Sequence, residues 1–128
     1  MNWRRLMSRK RFGGAGLPLL DAESTEDRSP FLKDTDRLVY CSAFRRLQNK
    51  TQVQVFPGTD YVRTRLTHSL EVSSVGRSLG AAVGAFVLRR HPELKQDTEA
   101  GPHLRGSEFG EVVAAACLAH DIGNPPFG

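Results

Sequence analysis

The sequence predicts an all-α fold behind a basic, irregular N-terminal arm. Three observations carry that expectation. Apolar residues recur with helical spacing in three separate stretches, and proline or glycine falls where each stretch ends. Only one short run, "TQVQVF", alternates polar with apolar residues. There are no internal repeats, and 128 residues with 39% hydrophobic content suit one small domain with a modest core.

Residues 1–33 are read as the arm and residues 34–128 as the helical portion. The first 30 residues are rich in Arg, Gly, Ser and acidic side chains and show no sustained period. Residues 1–50 carry 11 Lys/Arg against 6 Asp/Glu, whereas residues 51–128 carry 7 against 8. The basic surplus therefore sits at the N-terminal side, where it suits an anionic partner such as phosphate or single-stranded nucleic acid. For residues 1–16 a solvated basic segment is the plainer reading.

The first helical stripe is Tyr40, Ala43, Phe44 and Leu47, at i, i+3, i+4 and i+7, with Asp34 as its expected N-cap and Arg37, Arg45 and Arg46 alongside. "NKTQVQVFPGTDY" then breaks the helix. Pro57-Gly58 signals a turn, and a short extended segment fits the alternation before it. A second helix starts between Asp60 and Thr67, carries Val72, Val75, Leu79, Ala82, Val83 and Phe86 as its core stripe, and stops before Pro92. "GRSLG" inside it reads as close packing rather than a phosphate loop. Residues 91–106 read as a surface loop. The third helix takes Ser107 as N-cap, with Glu108 and Glu111 in its first turn, where the helix dipole favours negative charge. Its stripe, Phe109, Val112, Val113, Ala116, Cys117 and His120, makes His120 the last inward residue, and Gly123 suits a left-handed stop before Pro125-Pro126.

Chemistry concentrates where that third helix ends. Asp121 lies about 100° around the helix from His120. If it faces inward, its carboxylate needs a cation or strong donors. A divalent metal would satisfy imidazole and carboxylate together. For an isolated His-Asp pair, a satisfied core histidine beside a solvent-facing aspartate outweighs that reading. A second cluster is "RTRLTHSLEV". Arg65 and His68 share a helix face at i, i+3, and an arginine next to a metal ligand makes sense when an anion sits between them. Here too a surface histidine on a solvated basic face is the plainer reading when the segment is taken alone.

Taken together, "AFRRLQNKTQV", "RTRLTHSLEV" and "CLAHDIGNPPFG" resemble the HD-domain superfamily, and more narrowly the bacterial deoxyguanosine-triphosphate triphosphohydrolases, over roughly residues 29–128. The resemblance implies the N-terminal, incomplete portion of an all-helical HD domain. It implies a divalent ion (Mg, Mn or another first-row metal) held by His68, His120 and Asp121. It implies Arg65 on substrate phosphate, Gln52 with Val53 alongside reading the nucleotide, and Asn124 near the phosphates where some relatives place a histidine. It further implies hydrolysis of a deoxynucleoside triphosphate, dGTP foremost, to deoxynucleoside and tripolyphosphate. The family's fourth ligand, a downstream aspartate, and a histidine following "PPFG" have no counterpart in these 128 residues. The chain is thus expected to be a piece of a longer, homo-oligomeric protein and inactive alone. Two alternatives stay open: another HD-type metallophosphohydrolase (a phosphodiesterase or 5′-nucleotidase), and a non-enzymatic nucleotide- or single-strand-binding module.

Other classes find no support. No P-loop pattern occurs, "GGAG" at 13–16 lacks a strand-helix context, and no Cys-x-x-Cys pair suggests a zinc finger. Cys41 and Cys117 read as small core residues in a reducing compartment. No apolar run approaches the roughly 18 residues of a membrane span, and the N-terminus makes a poor signal peptide. The cytoplasm is the expected location.

Overall fold

Helix α2 (Pro30–Tyr40) starts where Ser29 accepts the Leu32 N–H on its hydroxyl and Pro30 presets the first helical φ. The expected cap, Asp34, instead lies inside the helix and pairs with Arg37 at 3.2 Å. The chain breaks at Cys41, whose Sγ accepts from the Phe44 N–H, then forms the single turn α3 (Ser42–Arg45) and a 3₁₀ turn, Arg46–Asn49. The expected continuous stripe is therefore interrupted. Phe44 and Leu47 are buried, whereas Tyr40 is exposed. The computed structural model describes residues 1–9, 28–50, 52, 63–99 and 101–123. The expected extended run, the Pro57-Gly58 turn, "GGAG" and Pro125-Pro126 lie outside those residues.

The long helix α4 (Arg65–Arg90) is capped by Thr64 and stops two residues before Pro92, as the sequence predicts. A 3₁₀ turn (Pro92–Lys95) and a loop lead to α5 (Gly106–Ala119). The expected N-cap of α5, Ser107, is already helical; the helix opens at Gly106, and Glu108 reaches back to accept the Arg105 N–H at 3.1 Å. Gly123, with φ 90°, follows the end of α5 as expected.

The α4 face turned toward α5 corrects the expected core stripe. Val75, Leu79, Val83 and Phe86 are each more than half exposed, and the buried residues are Ser69, Ser73, Gly76, Gly80, Gly84, Val87 and Leu88. Gly80 and Gly110 show the physical reason. An added Cβ at Gly80 would stand 2.8 Å from the Phe109 carbonyl oxygen, and one at Gly110 would stand 2.7 Å from that of Arg77. The two backbones touch, and only hydrogen side chains admit that approach. Ser73 adds a hydroxyl donated to the Ala114 carbonyl at 3.1 Å. The "GRSLG" segment is close packing, as its glycines suggested. Gly76 lies against Cys117, and Gly84 against Gly106 and Phe109. α4 and α5 therefore run antiparallel, with the start of α4 beside the end of α5.

Two apolar clusters close the ends of this pair. One joins Phe31, Val87, Leu88, Leu94, Leu104 and Phe109 with Met7; the other joins Phe44, Leu47 and Leu118, flanked by Leu38, Cys41, Leu66 and Ile122. Cys41 and Cys117 are free and partly buried. Residues 1–9 dock through Trp3, Arg4, Met7 and Arg9, while Met1, Arg5, Leu6 and Ser8 stay exposed. A short turn, α1 (Trp3–Leu6), places the Arg4 guanidinium on the carbonyls of Glu93, Gln96, Gly101 and Pro102 at 2.6–3.0 Å. Arg9 pairs with buried Glu108 at 2.7 Å. Among the described residues no helix is long and apolar enough to cross a membrane.

Candidate active site

Antiparallel packing brings the first turn of α4 against the end of α5, and with them four sequence-predicted residues, Arg65 and His68 on one side and His120 and Asp121, more than fifty positions later, on the other. The rings of His68 and His120 meet edge to face with centroids 5.4 Å apart. Next to them, Arg65 Nη1 donates to Asp121 Oδ1 at 2.9 Å, the two side chains being 12% and 7% exposed. An inward carboxylate at this position was expected to need a cation or strong donors, and Arg65 supplies a cation.

The burial of the doublet is the reverse of the expectation. The inward ridge of α5 runs Gly110, Ala114, Leu118 and then Asp121, one residue out of register with the predicted stripe, so Asp121 is buried and His120 is exposed. Tight contact with α4 at Gly110 sets this rotation, because a ridge of small side chains packs closer than one of valines. His120 is nonetheless oriented. Its Nδ1 lies 2.6 Å from the Cys117 carbonyl oxygen, which can only accept, so in the neutral ring Nδ1 carries the proton and Nε2 offers the lone pair.

Backbone hydrogen bonds hold the preceding segment alongside. Arg65 N–H donates to Lys50 O at 2.9 Å and Gln52 N–H to Arg63 O at 3.0 Å, which places Gln52 beside the start of α4. Val53 and Asn124 lie outside the described residues. Buried polar atoms at this end with no hydrogen-bond partner among the described residues include His68 Nδ1, Ser69 Oγ, Arg65 Nε and Gln52 Oε1. Each such atom costs desolvation unless a ligand, a water or a group outside the described residues meets it. A groove of about 470 Å³, mostly apolar and lined by His68, Val72, Val75, Leu79, Val113 and Cys117 among others, opens beside His68.

The donor set suits a divalent ion in kind: two imidazole nitrogens and one carboxylate. The arrangement differs from a closed ligand cage, since Asp121 turns to Arg65 and no group of three His, Cys, Asp or Glu among the described residues is set around one point. The orphaned His68 Nδ1 and the lone pair left at His120 Nε2 are the two features that fit an ion. Sequence reasoning found Arg65 and Asp121 separately and missed their pairing. The signal lay in the cation that it had demanded for an inward Asp121, with Arg65 already assigned to the same helix face as His68.

Residues 65–128 match the HD-domain model. This chain belongs to the HD-domain family. Its HD residues begin with Arg65 at the first turn of α4 and include both histidines and the aspartate just described. The full 128 residues are 53% identical to a deoxyguanosinetriphosphate triphosphohydrolase-like protein of Synechocystis, 45% identical to one of Pseudomonas aeruginosa and 41% identical to one of Listeria innocua. In each case all of this chain is covered, and it spans 26% of the relative's length.

Proposed function

We propose that these residues form part of the active site of a metal-dependent phosphohydrolase acting on deoxynucleoside triphosphates, dGTP foremost, and releasing deoxynucleoside and tripolyphosphate. The observation that carries the reading is the convergence of His68, His120, Asp121 and Arg65 at one end of the α4–α5 pair. The names of the relatives, deoxyguanosinetriphosphate triphosphohydrolase-like proteins, point to the same substrate class. His68, His120 through Nε2, and Asp121 would hold the ion. A divalent ion there supplies Lewis-acid polarisation of a phosphoryl oxygen and a more acidic water. Arg65 offsets charge on the phosphates, and its planar donor fork matches two phosphate oxygens. Gln52, held beside the start of α4, would meet the nucleoside end. Hydrolysis adds water across the bond between the α-phosphorus and the 5′ oxygen, the hydroxyl going to phosphorus and the proton to the departing nucleoside.

The test is product analysis by anion exchange, using the intact protein that carries this sequence with each dNTP and Mg²⁺ or Mn²⁺. Tripolyphosphate should appear in equimolar amount with deoxynucleoside. His68→Ala, His120→Ala and Asp121→Ala should each lower turnover beyond the roughly 10–100-fold that loss of an outer-shell partner causes. Turnover of cyclic or monophosphate nucleotides in place of dNTPs would redirect the assignment to another HD-type phosphohydrolase. Unchanged turnover in all three variants would end it. The 128-residue chain alone is expected to be inactive, because the downstream aspartate implied by the resemblance is not among its residues.

A further inference from the structure

We infer that residues 1–9 form a strap that shapes the connection between α4 and α5, with residues 93–102 folded as a carbonyl cup around the Arg4 guanidinium. The strap packs at the opposite end of the α4–α5 pair from His68 and His120, so its test is independent of the metal reading. Arg4 Nη1 donates to the Gly101 and Pro102 carbonyls at 2.6 and 2.8 Å. Nη2 donates to those of Glu93 and Gln96 at 2.9 and 3.0 Å. Each terminal nitrogen thus takes one leg of the loop, and the planar fork spans both. Carbonyl oxygens directed at one point repel each other unless a cation stands between them. A guanidinium suits that place, because it is permanently charged, offers its donors in one plane and accepts nothing. Gly101, at φ 137°, turns the outgoing leg back, and its carbonyl receives Arg4 and the Thr98 N–H together.

Loop and strap hold each other. The loop's own bonds close its tip, where Thr98 N–H and Gly101 N–H donate to each other's carbonyls at 3.1 and 2.9 Å, and its base, where Leu104 N–H donates to the Leu94 carbonyl at 2.8 Å. Arg4 fills the interior between them. The strap in turn has little structure without the loop. Its helix α1 is one turn of four residues capped by Asn2, far below the length at which a helix persists in water. Trp3 meets Phe109 with ring centroids 5.9 Å apart, and Met7 enters the core cluster. Arg9 Nη2 donates to buried Glu108 at 2.7 Å and to the His103 carbonyl at 3.2 Å. Glu108 also accepts the Arg105 N–H, so the strap reaches the first turn of α5. Docking of the strap and ordering of the loop are therefore one event. Because Arg4 and Arg9 are committed to these contacts, an anionic partner can recruit them only by undocking the strap.

The experiment is amide hydrogen exchange of the intact protein, read at Thr98, Gly101 and Leu104 in the loop and at Leu6 and Met7 in the strap, all of which donate main-chain bonds. It compares the wild type with Arg4→Ala and Arg4→Lys, and circular dichroism checks that each is folded. In Arg4→Ala both groups of amides should exchange faster by about 10–100-fold, the size expected when hydrogen bonds to a charged group are lost. Guanidinium chloride at a low, non-denaturing concentration should refill the cup and restore protection of the loop in Arg4→Ala, whereas potassium chloride at equal ionic strength should not. Unchanged loop protection in Arg4→Ala would overturn the inference. A loss that guanidinium reverses no better than potassium would overturn it as well, since ordering would then come from the packing of Trp3 and Met7. Arg4→Lys keeps the charge and loses the fork, and it carries the test if Arg4→Ala fails to fold. One ammonium cannot span both legs, so it should lose part of the protection, and loop protection at the wild-type level in Arg4→Lys would refute the cup.

Discussion

Gly80→Ala separates the two faces of α4 more sharply than any other single change. Helix propensity alone would make it stabilising by about 1 kcal/mol, since alanine is the better helix former and Gly80 sits in the middle of a 26-residue helix. Packing opposes this. The new methyl would lie 2.8 Å from the Phe109 carbonyl oxygen, 2.9 Å from Gly110 Cα and 3.0 Å from Val113 Cγ2. Two of those atoms are α5 backbone and cannot rotate away. Relief to ordinary contact at 3.4 Å requires the helices to part by roughly 0.6 Å, and a gap of that size forfeits about a quarter to a half of each dispersion contact it opens. Overpacking of this kind costs about 1–3 kcal/mol, so the net expectation is a loss of up to about 2 kcal/mol. Urea denaturation of the intact protein, followed by far-ultraviolet circular dichroism, reads the difference, with exposed Ser74→Ala on the same helix as the propensity control. Were the apolar stripe of Val75, Leu79 and Val83 the buried one, Gly80→Ala would raise the midpoint as Ser74→Ala does. A raised midpoint would refute the close-contact account.

Two further predictions concern the far end of the helix pair. Glu108→Ala removes both the Arg9 ion pair and the acceptor for the Arg105 N–H, so it should destabilise by about 1–3 kcal/mol. Amide exchange at residues 106–109 should quicken, and unchanged protection there would contradict the capping role. Asp97 accepts from the His103 backbone N–H at 2.7 Å, which chiefly holds its carboxyl below the ordinary value of 3.8, and from His103 Nδ1 at 3.0 Å. Its folded-state pKa is depressed, so the contribution to stability is present above that ordinary value and is lost as pH falls through the folded one. The His103 amide resonance should therefore move in an acid titration below the ordinary carboxylate range, and Asp97→Asn should abolish the movement.

The helical class, the breaks at Pro92 and Gly123, and the polar residues that converge at the end of the α4–α5 pair were legible because they rest on local rules. Proline ends a hydrogen-bond ladder, glycine accepts positive φ, and a buried carboxylate demands a cation whatever the fold around it. The faces of α4 and α5 were not legible by the same means. A period count over apolar residues assumes that burial follows hydrophobicity, and it passed over Ser69, Ser73, Gly76, Gly80 and Gly84, which recur just as regularly. Small residues give up area per side chain and gain backbone proximity, a trade visible only once a partner helix is in place. The one-residue shift that buried Asp121 and exposed His120 follows from the same contact. Asp34 failed as a cap because Ser29-Pro30 offers a stronger start five residues earlier, with Pro in the first turn, where its missing donor costs nothing.

The glycine face and the polar cluster form one design. Arg65 and His68 enter from the start of α4, His120 and Asp121 from the end of α5, and between them the helices touch at Gly76, Gly80 and Gly110. Leucine-sized side chains at those positions would hold the helix axes at the ordinary 8–10 Å or beyond, and a single 2.9 Å contact between Arg65 and Asp121 leaves little slack for such a shift. Close approach at the glycines thus lets side chains meet from the start of one helix and the end of the other, and packed elements hold a site more exactly than long loops do. The apolar residues of the outer α4 face contribute nothing to that spacing. Substitution at Gly76 or Gly80 should therefore disturb the His68–His120 and Arg65–Asp121 contacts together, whereas conservative substitution at Val83 or Phe86 should leave both in place.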